Sequence, residues 1–133
     1  MRKLFYVVLL LSASCFCVSC EKDDIEGNPS DAIVGLWFNY KDYEEKYDEW
    51  YYYDENSDYW RQYYFNIDGT GYEYSEYLNK GTKKDITWNI SGRTLNVSYY
   101  GGGEKYVIKS LKRNELVLYY ADEGFYEYYK RVN

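Results

Sequence analysis

Three kinds of side chain in this sequence offer chemistry. Three cysteines crowd into positions 15, 17 and 20, Asp and Glu number 22, and there are 21 Tyr with four Trp. There is no His, which removes the usual imidazole base, the usual nitrogen ligand for a metal and the Ser-His and Cys-His nucleophile pairs. The carboxylates are spread over a tether and turns, and no spacing separates an acid from a base for glycoside chemistry. The composition therefore argues against an enzyme and calls for no cofactor. The net charge of −6 leaves no clustered Lys/Arg groove, so a nucleic-acid partner is not expected. What remains is a thiol that could be modified and aromatic faces that could stack on a ligand.

Cys20 sits at a junction. Met1-Arg2-Lys3 is a positive start, Leu4 to Leu11 is an apolar run of signal-peptide length, and the apolar character continues with interruptions to Val18. A spanning anchor would need about 20 apolar residues, and the small-residue end favours cleavage. Ser19-Cys20 resembles the end of a bacterial lipoprotein signal, where the Cys is lipidated and becomes the new amino terminus; Cys17 replaces the usual aliphatic residue three positions before. Cys15, after Ser12-Ala13-Ser14, is a second candidate. Glu21-Lys22-Asp23-Asp24 resembles the short charged export signal of surface-exposed lipoproteins of the Bacteroidota. These resemblances imply a signal peptide over 1–19, a lipidated Cys20 with a flexible acidic tether over 20–31, and a lipid-anchored place at the surface of the outer membrane. No thiol beyond Cys20 is left for an internal disulfide.

The element expected next is a single domain over 32–133. Its wealth of Tyr, Trp, Phe, Val, Ile and Thr favours strands over helices. Tyr40, Tyr43, Tyr47 and Trp50 recur at helical spacing, so a short helix or an irregular turn is expected over 41–48, and Trp50 to Tyr53 reads as a strand. Further on, Tyr63, Phe65 and Ile67 alternate with polar neighbours. Asp68-Gly69, Asn79-Lys80-Gly81, Ser91-Gly92, Gly101-Gly102-Gly103, Arg113-Asn114 and Asp122-Glu123-Gly124 mark turns. About eight short strands result, an antiparallel up-and-down meander. Left open it would expose two edges, so closure into a small barrel is expected. Trp37, Phe65, Trp88 and several Tyr pointing inward would largely fill it, leaving a shallow mouth.

Gly35-Leu36-Trp37 resembles the opening strand of lipocalin-like domains. Phe65-Asn66-Ile67-Asp68-Gly69-Thr70-Gly71 resembles a turn common in small lipocalin-like lipoproteins, and Tyr129-Lys130-Arg131-Val132 resembles their terminal strand. The resemblance implies a barrel able to bind a ligand, with no ligand or binding residue carried over. From the residues themselves, the surplus of rings around 40–64 makes Tyr51, Tyr53, Trp60 and Tyr64 the candidate contacts for a small or carbohydrate-like ligand. The alternative partner is an envelope protein meeting the Tyr-rich, acidic 43–60 segment.

Overall fold

The computed structural model describes residues 24–133; the leader, Cys15, Cys17 and Cys20 lie outside them. A four-residue helix α1 (Pro29–Ala32) precedes nine strands: β1 (Gly35–Glu44), β2 (Glu49–Tyr52), β3 (Tyr59–Phe65), β4 (Thr70–Tyr77), β5 (Lys80–Ser91), β6 (Thr94–Tyr99), β7 (Gly102–Leu111), β8 (Glu115–Tyr120) and β9 (Phe125–Val132). All strand pairs are antiparallel. From β3 onward each strand pairs with the next, and β1 pairs with both β3 and β9, closing an eight-strand barrel. The expected all-β closed meander is the fold, with β2 as one extra strand.

β2 has a physical explanation that also corrects the helical spacing over 41–48. β1 runs as a strand through Glu44, and only residues 45–48 form a turn. A bulge between Asn39 and Lys41 shifts the inside-outside alternation by one, so Asn39 and Asp42, three apart, are both buried. Tyr43 and Trp50 are likewise directly opposed across the β1–β2 hairpin, ring centroids 4.9 Å apart. The spacing that suggested a helix is a bulge plus a cross-strand pair. β2 and β3 lie one after the other along the same edge of β1, which pairs at 41–44 with β2 and at 35–38 with β3. Residues 53–58 loop out between them.

Directly opposed residues share a face of the sheet, so the register separates interior from exterior. Trp37, Tyr63, Phe65, Ile86, Trp88, Leu95, Val97, Tyr106, Ile108, Leu116, Leu118 and Tyr129 are buried together in one core. Ile67, expected to continue the inward alternation, is 68% exposed because the strand has already ended at Phe65.

The core closes one end of the barrel. Trp37 Nε1 donates to the Ile33 carbonyl at 2.7 Å, and the Arg131 guanidinium lies 4.3 Å from the Trp37 ring centroid. Arg131 also donates to the carbonyls of Val34 (2.7 Å), Ala32 (2.8 Å) and Arg113 (2.6 Å). Gly35 must be glycine here: its φ is +131°, and a Cβ would stand 2.5 Å from Arg131 Nη1. The first and last motifs singled out in the sequence are thus two halves of one closure. The turn between β3 and β4 finishes it. Asp68 Oδ1 accepts from Thr70 N (2.9 Å) and Thr70 Oγ1 (2.6 Å), bonds that hold its carboxyl below the usual range. Trp88 Nε1 donates to the Asn66 and Thr70 carbonyls of that turn.

Of the stretch expected as a flexible tether over 20–31, residues 20–23 lie outside the described residues, and from Asp24 on the chain is held against the barrel. Leu111 N donates to the Asp24 carbonyl at 2.6 Å, Glu26 N donates to Leu111 O at 2.9 Å, and Ile25 packs against the core. The chain therefore enters along the closed end.

Candidate binding site

At the other end the inward positions change character. On β3 the inward set is Tyr59, Arg61, Tyr63 and Phe65, and the opposed residues of β4 are Tyr77, Ser75, Glu73 and Gly71. On β5, Thr82 and Lys84 face Ser75 and Glu73. On β7, Glu104 faces Val97 of β6, and on β9, Glu127 faces Leu118 on one side and Asp42 on the other. Strand alternation thus carries apolar residues into the closed half and charged ones, by the same rule, into the open half.

Arg61 and Glu127 form an ion pair at the boundary, Nη2 to Oε1 2.6 Å, with the side chains 13% and 8% exposed. Tyr129 OH donates to the same Glu127 oxygen at 2.8 Å, and the guanidinium lies 5.6 Å and 5.8 Å from the Tyr63 and Tyr129 ring centroids. Beside this pair, Asp42 accepts from Asn39 Nδ2 at 3.0 Å and from Tyr53 OH at 3.0 Å. Across the interior, Glu104 accepts from Tyr106 OH (2.5 Å) and Tyr63 OH (3.3 Å). Nearer the rim, Lys84 Nζ approaches Glu73 at 3.9 Å and stands 4.0 Å from the Tyr99 ring centroid.

The electrostatics follow from burial. Glu127 and Asp42 are both pushed above the ordinary carboxylate range by desolvation, which Arg61 opposes and does not cancel. Arg61 in turn is held well above its usual value by Glu127 and the surrounding tyrosines, against the pull of burial. Burial also raises the phenols of Tyr53 and Tyr59. The inward carboxylates Asp42, Glu73, Glu104 and Glu127 face the cations Arg61 and Lys84, so this half of the interior carries excess negative charge. Among the described residues, Asn39 Oδ1 and Arg61 Nε are buried with no hydrogen-bond partner. A buried ion pair adds little to stability compared with apolar packing, and perturbed charges gathered inside the barrel make this half of it the candidate site.

The four ring residues expected as contacts fall on two sides of the wall. Tyr53 joins the interior site through Asp42, and Tyr51, directly opposite Asp42, stands at the rim with its hydroxyl on Glu44 (2.9 Å) and Glu49 (2.8 Å). Trp60 and Tyr64 face outward. Trp60 packs between Phe38 and Tyr74, centroids 5.6 Å and 5.5 Å away, and Tyr64 stacks on Tyr72 at 5.3 Å. Near Phe38 the 53–58 loop roofs an outer groove of about 380 Å³, lined by Asp54, Glu55, Asn56, Gln62, Lys130 and Arg131 among others. Reasoning from rings alone missed Arg61, Glu127 and Glu104. The available signal was a charge at an inward position of an alternating strand: Arg61 two before Tyr63, Glu127 two before Tyr129, Glu104 two before Tyr106.

No group of three His, Cys, Asp or Glu among the described residues is arranged to hold a metal ion. The site can bind and orient polar groups: it offers carboxylate acceptors, phenolic hydroxyls, a guanidinium edge and ring faces.

Residues 33–118 match the lipocalin-like domain family. Among solved structures, a lipocalin-like protein from Bacteroides uniformis ATCC 8492 superposes with a TM-score of 0.64 at 13% identity, covering 76% of this chain and 99% of that one. An uncharacterized protein from Bacteroides eggerthii DSM 20697 superposes with a TM-score of 0.60 at 12% identity, covering 74% of this chain and 98% of its own. At such identities the likeness is one of fold. No curated protein matches the chain.

Proposed function

The chain belongs to the lipocalin-like domain family, and from that premise we propose that it is a non-catalytic binding module. In this reading it is anchored by a lipid on Cys20 at the surface of the outer membrane and takes a small, hydroxyl-rich, carbohydrate-like ligand at the mouth of its barrel. One observation carries the ligand class: the floor of the mouth is the Arg61–Glu127 pair ringed by tyrosines. A fatty chain laid on that floor would desolvate an ion pair and return no hydrogen bonds. It would also find no deep apolar hollow, because Trp37, Tyr63, Phe65, Tyr106 and Tyr129 occupy the closed half. Sugar hydroxyls pair with carboxylates and phenols while their C–H faces lie on rings. Water already reaches this level, since the inward-register Lys84 side chain is 42% exposed.

The anchor is supported by Ser19-Cys20 and the acidic residues after it. The ligand reading is tested by thermal shift on the chain from Asp24 onward, against neutral oligosaccharides, bile-type amphiphiles and fatty acids. A ligand that binds the native state raises the melting temperature, by about 2.7 kcal/mol of stabilisation at a hundredfold excess over its Kd. Stabilisation by oligosaccharides, lost in Tyr53→Ala, is expected. Stabilisation by fatty acids with no response to any saccharide overturns the proposal.

A further inference from the structure

We infer that the barrel is seated with its closed end towards the membrane and its mouth turned away from it, so that the ligand site opens to the surrounding medium and the bilayer's headgroups meet the closed-end turns. This rests on the reading of Cys20 as the lipidated residue and adds a direction to it.

The argument is one of lengths. The backbone is fixed to the closed end from Asp24 onward: Asp24 and Glu26 bond Leu111 on either side, Ile25 forms an isolated bridge with it and packs on the core, and Ile33 is fully buried beneath α1. Asp24 is four residue steps along the chain from Cys20. However that segment is arranged, its reach is at most about 14 Å, at about 3.6 Å for each residue. The barrel is longer than that. β1 has 10 residues, about 33 Å at about 3.3 Å for each, and a strand tilt near 40° leaves an axial length of about 25 Å. Ile25 pairs with Leu111 in parallel, so residues 24–26 run with β7 towards the closed end; a leash of about 14 Å from Asp24 cannot let the mouth rim meet the bilayer first and keeps the turns at 92–93 and 112–114 within its reach. The exposed Lys112 and Arg113 in the second of these turns suit anionic headgroups. Anchorage at Cys15 would lengthen the leash to nine residues and about 32 Å, enough to free the barrel to turn over. The orientation is thus a consequence of which cysteine carries the lipid.

The test uses the lipidated full-length product, purified from membranes and placed in vesicles whose headgroups carry an energy-transfer acceptor. A donor dye is attached at Asn114→Cys in one variant and at Glu123→Cys in another. Both positions are exposed, in turns at opposite ends of the barrel, and the Cys20 thiol is blocked by the thioether that carries its lipid, leaving the new thiol as the labelling point. Donor quenching several-fold stronger at Asn114→Cys than at Glu123→Cys supports the orientation. Equal or reversed quenching, with fatty acid found on Cys20 by mass spectrometry, overturns the orientation and leaves the anchor standing. Absence of fatty acid on Cys20 overturns both together.

Discussion

Arg61 and Glu127 decide what the interior can do, and their surroundings fix how it responds to pH. Burial raises Glu127 and its cross-strand neighbour Asp42, Arg61 opposes the rise at both, and the Asp42 charge adds to it at Glu127. From about pH 4 upward, the unfolded chain has released protons that the folded chain still holds. The stability these two groups add is therefore complete below the ordinary carboxylate range and is lost as pH rises through their raised values. Glu127→Gln, which cannot ionise, should melt with a flatter dependence on pH between about pH 4 and pH 7 than the parent chain. Parallel stability curves for the two proteins would show that Glu127 titrates as a solvated carboxylate. The sequence places Glu127, two before Tyr129, at an inward position of an alternating strand, whereas plain alternation from Trp37 would put Asp42 outside; the bulge after Asn39 turns it in. The sequence does not place them against each other, since β1 and β9 are the most distant strands in the chain.

At the scale of elements, the glycines at the closed end record how tightly strands approach. Gly71 on β4 lies directly opposite Phe65, and a Cβ there would overlap the Tyr64 carbonyl oxygen of β3 and press on Ile86 of β5. Both obstacles belong to a packed wall, one of them backbone, so the strands would have to part. Gly71→Ala should lower stability by about 1–3 kcal/mol, read as a lower denaturant midpoint at unchanged slope. An unchanged midpoint would mean that β3 and β4 have slack the register does not show. The turn motif that contains Gly71 was legible as a turn. Its reason was not, because the close approach comes from a strand pairing and from Trp88, which reaches over to cap the turn from β5. The Asn39/Lys41 bulge was illegible for a related reason: one extra residue in a strand imitates a helical period until the partner strand supplies the register.

For the whole molecule, closure and the entry of the chain are one construction. β1 is gripped by β9 along most of its length, Arg131 ties the carbonyls before β1 to the β7–β8 turn, and residues 24–26 add a short parallel contact on Leu111. Removing residues up to Gly27 should lose two backbone hydrogen bonds, each worth about 1 kcal/mol net. A drop in Tm of roughly 4–8 °C for every kcal/mol lost is expected for a domain of this size, measured by calorimetry against the chain beginning at Asp24. If the shortened chain melts at the same temperature, the entry segment is not coupled to the barrel and the leash is longer than the bonds to Leu111 allow.

By itself the sequence determined the class of structure. Alternating apolar residues, turn residues at short intervals and a shortage of helix formers leave an antiparallel meander as the economical fold, and Gly35-Leu36-Trp37 with Arg131 marks its two ends. These are local signals, carried by residues near one another in the chain. The tertiary structure decided which residues share the barrel interior. A barrel wall has two faces, and a ring points to the interior or to the outside according to a register set by bulges and pairings many residues away. That register sent Tyr51 and Tyr53 to the mouth, Trp60 and Tyr64 to the outside, and brought Arg61, Asp42, Glu104 and Glu127 from four separate strands into one enclosed space. Charge energies depend on distance and burial, and neither exists until the last strand meets the first.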